Sequence, residues 1–187
     1  MIIKESPLRG MTTGTVETAA IRELPGLDTV DLRVEPASAS FDAVTKTLGI
    51  DLPLKVGSTS IISLPGKEDA HALCLGQGWW LLVGLPEGEK SFDTLRLNNN
   101  FHFSATNVSG QRTTIELEGP DARQVLTRLW EQDLREKAFP VGSVSQGLMA
   151  KAPVILLHTD ANRYRIMVRS SFALHLWKAI KDALEGV

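Results

Sequence analysis

The 187-residue sequence predicts an α+β fold made of two similar halves, mostly antiparallel sheet with helices on one face. Three observations carry that prediction. Short segments alternate apolar and polar residues with a period of two, the mark of a half-buried strand. Between them lie apolar stripes at helical spacing. One order of elements (strand, helix, strand, hairpin strand, helix) also runs twice along the chain.

Residues 1–22 hold Gly, Thr, Ser and Pro with little hydrophobic pattern and read as an N-terminal arm without a core of its own, either mobile or laid onto a partner. Residues 23–187 then form a single domain of two pseudo-repeated halves, about 23–108 and 109–187. In the first half, Val30, Leu32 and Val34 alternate with Asp31, Arg33 and Glu35 to give a strand that Pro36 ends. Ser38 or Ser40 can cap a helix carrying Phe41, Val44 and Leu48, and Gly49 can stop it. Residues 51–69 read as loop with a short apolar run at Ile61-Ile62. Ala70–Leu75 and Trp79–Gly84 read as strands joined at Gly76-Gln77-Gly78 in a tight hairpin. Pro86 precedes a helix through Phe92 and Leu95, broken by Asn98-Asn99-Asn100, and a strand follows over 101–108.

The second half opens with Thr113, Ile115 and Leu117 alternating against Thr114, Glu116 and Glu118. Gly119-Pro120-Asp121 turns the chain into a helix lined by Ala122, Val125, Leu126 and Leu129. Strands are expected near 144–150, 152–158 and 163–168, the last two joined at Asp160-Ala161-Asn162. Ser170 or Ser171 can cap a final helix whose stripe is Phe172, Leu176, Ile180 and Leu184.

Composition narrows the function classes. Apolar residues make up 43% and charged residues 22%, ordinary values for a globular chain. A formal net charge of −2 leaves no electrostatic footprint for nucleic acid or an anionic membrane. The single cysteine, Cys74, permits neither an intrachain disulfide nor a Cys-rich zinc site, and its setting reads as a buried strand. Met1 to Ala20 hold no apolar run of signal-peptide length, so a cytoplasmic address is expected.

No catalytic constellation emerges. His71, His102, His158 and His175 form no HExxH pattern or close cluster with carboxylates. The sequence contains no GxSxG elbow and no phosphate-binding glycine loop. Glu68-Asp69 lie in an expected loop. Arg163, Arg165 and Arg169 share one strand end and make either an anion patch or a solvated face. The expectation is no catalytic residue, no bound cofactor and no metal in this chain.

Surplus apolar surface points instead to a partner. Trp79 and Trp80 are adjacent on a strand and must face opposite ways. Trp177 and Leu174 flank the stripe of the last helix, and Trp130 follows the end of its own. Trp177, Leu174 and Trp130 are therefore candidate interface residues, the alternative being a helix buried on two sides within its own fold.

One stretch, Arg112-Thr113-Thr114-Ile115-Glu116-Leu117-Glu118-Gly119-Pro120-Asp121-Ala122-Arg123, resembles the gamma subunit of heterotetrameric sarcosine oxidase. So do Ala138-Phe139-Pro140-Val141-Gly142, the run from Gln146 to Leu156, and Val168-Arg169-Ser170-Ser171-Phe172-Ala173 leading into Leu176-Trp177. Ile21-Arg22-Glu23-Leu24-Pro25 and the segment Leu75-Gly76 to Trp80-Leu81-Leu82 extend the resemblance from about residue 21 to the C-terminus. The resemblance implies a fold like that of the first domains of aminomethyltransferase, and a subunit without a site of its own. Its partners would be alpha, beta and delta subunits, which would hold FAD, FMN, NAD and zinc. The assembled enzyme would oxidise sarcosine to glycine and pass the one-carbon unit to tetrahydrofolate. Where aminomethyltransferase has Asp-Val-Ser-His, this chain has Asn107-Val108-Ser109-Gly110, which removes both the carboxylate and the imidazole. Two other readings remain: a gamma-like subunit of a related N-methyl amino acid dehydrogenase, and a freestanding folate-binding protein.

Overall fold

The computed structural model describes residues 5–49, 51–62, 70–85, 88–97 and 100–186. Along the chain the strands are β1 (Thr12–Gly14), β2 (Ala20–Leu24), β3 (Thr29–Val34), β4 (Thr59–Ile62), β5 (Ala70–Gly76), β6 (Trp79–Val83), β7 (Phe103–Asn107), β8 (Arg112–Glu118), β9 (Val144–Met149), β10 (Ala152–Asp160) and β11 (Arg163–Arg169). The helices are α1 (Ala39–Leu48), α2 (Asp93–Arg96), α3 (Ala122–Thr127) and α4 (Ala173–Leu184), with 3-10 turns at Gly88–Phe92 and Ser170–Phe172. The chain divides into a central unit, Leu27–Ser109, and a terminal unit made of Met1–Gly26 and Gly110–Val187.

The central unit is a five-stranded antiparallel sheet in the order β4-β5-β6-β3-β7. Its core gathers Val30, Leu32, Val44, Cys74, Trp80, Leu82 and Phe92. Helix α1 starts where Ser38 Oγ accepts the Phe41 N–H at 3.1 Å, and it ends at Gly49, whose φ of 69° is easy for glycine. Gly78, at φ 66°, closes the β5–β6 hairpin in the left-handed conformation that L side chains avoid. Trp80 is buried and donates its indole N–H to Pro53 O at 2.7 Å. Trp79 lies on the other face, donating to Asp31 Oδ2 at 2.9 Å beneath the Arg33 guanidinium, as strand alternation requires. Pro86 and the pair Glu68-Asp69 lie outside the described residues.

The terminal unit is a six-stranded antiparallel sheet ordered β1-β2-β8-β11-β10-β9. Helices α3 and α4 share one core cluster with Ile21, Ile115, Leu117, Leu156, Tyr164 and Ile166. Read strand for strand, β9-β10-β11-β8-β2 repeats β4-β5-β6-β3-β7. The place that β7 takes beside β3 is taken beside β8 by β2, from the start of the chain.

That placement corrects the expectation of an N-terminal arm. Leu8, Ala19 and Ile21 are buried in the core of the terminal unit, and β2 pairs along β8 from Ala20↔Glu118 to Leu24↔Thr114. The buried Glu23 carboxylate accepts from Ser6 Oγ and, at 2.6 Å, from the Gly10 N–H, which folds the preceding loop inward. Residues 5–22 carry weak hydrophobic periodicity because their order comes from such remote bonds and not from a continuous apolar face.

The start of α4 also differs from expectation. Neither Ser170 nor Ser171 caps it: the 3-10 turn intervenes, Phe172 is the N-cap without a side-chain bond, and Ser170 Oγ donates to Gly110 O at 3.1 Å. The buried stripe is Ala173, Leu176, Trp177, Ile180 and Ala183, whereas Phe172 is 40% exposed.

Candidate functional site

The residues singled out from sequence separate into three groups. Trp177 is 2% exposed inside the core of the terminal unit, so its ring is not offered to a partner. The expectation that it flanks the α4 stripe is overturned, because the sheet covers a stripe wide enough to take Leu176 and Trp177 together. Trp130 is 5% exposed. Its six-membered ring lies over Gly147, where an added Cβ would sit 2.8 Å from Cη2. It is core as well, and it meets the outside only as part of a groove wall. Leu174 is 51% exposed and keeps its candidacy.

The four histidines are dispersed. His158 is fully buried and stacked between Tyr164, at 4.4 Å and 8°, and Phe139, at 5.9 Å and 6°. Its Nδ1–H donates to Phe139 O at 2.9 Å. Tyr164 in turn accepts from Arg123 Nε at 3.3 Å, and that bond raises the guanidinium's pKa. His175 Nε2 donates to Ala150 O at 2.8 Å, His71 is buried in β5, and His102 is exposed. Among the described residues, no three His, Cys, Asp or Glu side chains group in a way that could hold a metal ion. Cys74 is buried, and desolvation pushes its thiol pKa upward, away from the reactive thiolate.

Two of the three arginines of β11, Arg163 and Arg165, resolve into ion pairs that sequence spacing did not show. Glu116 sits directly across from Arg22 on one side and Arg165 on the other. Its buried carboxylate accepts from Arg22 Nε at 2.9 Å and from Arg165 Nε at 3.2 Å. Arg163 meets Glu118 at 3.2 Å. Of the three, Arg165 is therefore neither an anion patch nor solvated: it neutralises a buried carboxylate, which is the condition for burying one at all.

In the stretch Asn107-Val108-Ser109-Gly110, Asn107 ends β7 exposed and accepts the Ser109 N–H at 3.0 Å, while Ser109 Oγ accepts the Thr29 N–H at 2.9 Å. These side chains shape a chain turn.

What the terminal unit does present is an open groove of about 430 Å³ between the end of α3 and the β9–β10 hairpin. Leu129, Trp130, Leu148 and Ala150 give it apolar walls, and Arg128, Glu131 and Lys151 give it a charged rim. Leu148 is 52% exposed. The segment after α3 seals the neighbouring sheet edge: Trp130 bridges Met149, and the Gln132 amide donates to Gln146 O at 3.1 Å and accepts from Ser145 Oγ at 2.5 Å.

Comparison with known proteins gives a consistent result. Residues 33–185 match the family described as sarcosine oxidase, gamma subunit family. The chain is 30% identical over 183 residues to the sarcosine oxidase subunit gamma of Corynebacterium sp. (strain P-1), covering 97% of this chain and 86% of that one. Its fold superposes on a chain of the heterotetrameric sarcosine oxidase from Corynebacterium sp. U-96, in complex with pyrrole 2-carboxylate, with a TM-score of 0.84 at 24% identity, covering 99% of this chain and 96% of that one. It also superposes on glycine cleavage system aminomethyltransferase T from Bartonella henselae with a TM-score of 0.65 at 14% identity, covering 96% of this chain and 57% of that one.

Proposed function

The chain belongs to the sarcosine oxidase gamma subunit family, and from that membership we propose that it serves as a non-catalytic subunit of a heterotetrameric, folate-linked sarcosine oxidase. The observation that carries the reading is the family match across residues 33–185, supported by a relative aligned over nearly the whole chain. In this reading the chain meets alpha, beta and delta subunits in the cytoplasm. Those subunits hold FAD, FMN, NAD and zinc, and tetrahydrofolate accepts the one-carbon unit. No helix among the described residues is long and apolar enough to cross a membrane. The residue chemistry is compatible with a supporting role. His158 is held in an aromatic stack, Glu116 is neutralised by two arginines, and Asn107 is spent on a turn.

Co-expression with the three larger-complex subunits, followed by size exclusion, tests the proposal. The expected result is co-elution with the flavin-bearing fraction, and an isolated chain that is colourless and inert towards sarcosine. Calorimetry of the isolated chain with tetrahydrofolate separates the freestanding folate-binding reading: micromolar binding would overturn the subunit assignment. A related N-methyl amino acid dehydrogenase as the parent complex would show itself in the substrate turned over by the co-eluting assembly.

A further inference from the structure

We propose that the groove between the end of α3 and the β9–β10 hairpin, together with the exposed first turn of α4, docks an acidic, apolar segment of a larger subunit. This rests on the reading of the chain as a subunit of a hetero-oligomer and adds which surface is used.

Three features of the terminal unit converge on this surface. The first is apolar exposure: Leu148, on the groove wall, is 52% exposed, and Leu174, next to the His175 that bonds Ala150 of that wall, is 51% exposed, on a fold that buries Leu117, Leu156, Leu157 and Leu176. Large apolar side chains grouped with a concave surface are what a partner interface uses for its centre.

The second is the hairpin tip. Ala150 and Lys151 both take left-handed backbone conformations, with φ of 48° and 67°, at a two-residue turn where asparagine and glycine are the usual occupants. The strain is held by tertiary bonds: His175 Nε2–H on the residue after Leu174 donates to Ala150 O at 2.8 Å, and Ala150 packs against the core. Strain kept in place by neighbouring contacts marks positions whose geometry matters beyond the turn itself. Here it fixes Leu148 and Lys151 relative to the start of α4.

The third is charge. The groove carries Arg128 and Lys151 against Glu131, and Lys178 follows Leu174 one turn later on the same face of α4. Arg128 is immobilised by donating to the carbonyl oxygens of Ala183 and Gly186. Arg128, Lys151 and Lys178 outnumber Glu131 and Asp182, the exposed carboxylate one turn beyond Lys178, so an occupant of net negative charge is favoured over a neutral or basic one. The chain as a whole has a net charge of −2, which makes this local excess of positive charge a contrast with the rest of its surface.

The test uses the full chain, tagged and co-expressed with the alpha, beta and delta subunits, and measures the fraction co-eluting with them. The Leu148→Asp/Leu174→Asp double variant is expected to lose at least tenfold in retention while its thermal midpoint stays near that of the unaltered chain. Leu148→Ser/Leu174→Ser, a milder pair, gives the same readout if the aspartates lower the midpoint. Lys151→Glu is expected to weaken retention several-fold and to flatten its dependence on salt. If the unaltered chain co-elutes and both leucine pairs do so undiminished, the surface assignment is overturned while the subunit reading stands. Unchanged retention and salt dependence for Lys151→Glu would overturn the acidic occupant. Failure of the unaltered chain to co-elute would overturn both.

Discussion

Individual side chains of this protein divide by whether a neighbour on another strand or helix completes them. Trp177 is the clearest case. Its ring belongs to the core shared by α3, α4 and the sheet of the terminal unit, so Trp177→Ala is expected to cost about 3–5 kcal/mol, read as a lower denaturation midpoint. Trp177→Glu is expected to abolish the helical circular-dichroism signal of α4; a folded but dissociated variant would contradict the burial described above. Asp133 shows the opposite regime, an exposed carboxyl governed by one local partner. The Arg135 guanidinium, at 2.6 Å, and its backbone N–H, at 2.9 Å, hold the Asp133 pKa down to about 2 from its ordinary 3.8. A depressed carboxylate pKa contributes to stability above the unfolded value, and that contribution fades as the pH falls through 2. Arg135→Gln is expected to return the Asp133 titration towards 3.8 in carbon-detected NMR, and an unmoved midpoint would show that the pair is not formed in solution.

At the scale of elements, local chemistry accounts for what lies next to it in sequence. A serine cap at Ser38 or Ser40, the Gly49 stop, the β5–β6 hairpin and the alternation of β3 were legible because each depends on residues within a few positions, whereas β8 is buried on both faces, Thr114 and Glu116 included, so its apparent alternation did not report a solvent side. The start of α4 was not legible, because Ser170 bonds to Gly110, distant in sequence. Gly119 has a similar lesson. The Gly-Pro-Asp turn is readable as a turn, but the need for glycine there comes from elsewhere. At φ 123°, a Cβ on Gly119 would meet Thr18 O at 2.4 Å and Ala19 Cα at 2.9 Å. Gly119→Ala is therefore expected to cost on the order of 1–3 kcal/mol by pushing away the segment that leads into β2, with faster amide exchange in Ala20–Leu24 as its signature. Exchange unchanged from the native protein would mean that the segment yields without loss of pairing.

The terminal unit needs both ends of the chain. Residues 1–26 supply Leu8, Ala19 and Ile21 to its core and the strand that pairs with β8. Burying a large aliphatic side chain is worth about 1.5–3 kcal/mol, so losing two of them would take a large share of a typical domain's 5–15 kcal/mol. It would also bare the edge of β8. Deleting residues 1–22 is thus expected to give an insoluble or partly unfolded protein. A deletion variant that stays monomeric with an unchanged midpoint would restore the picture of a dispensable arm. The strand order makes the same point: the position filled by β7 in the central unit is filled by β2 in the terminal one, so the duplicated plan is completed from opposite directions along the chain.

By itself the sequence determined the fold class, the succession of elements from β3 onward apart from β4, the absence of familiar catalytic motifs and the family resemblance. All of these rest on short-range periodicity or on ordered motifs that survive in one dimension. Thr59–Ile62 read as loop because four residues with only Ile62 buried carry no alternation, and it is pairing along β5 that makes them a strand. Tertiary structure alone decided that Glu116 is neutralised by Arg22 and Arg165, that Trp177 and Trp130 belong to the core, and that Leu148 and Leu174 remain outside. The physical reason is that burial and charge pairing depend on which strands and helices become neighbours. Residues 94 and 49 positions apart meet at one carboxylate, and no local pattern records that meeting.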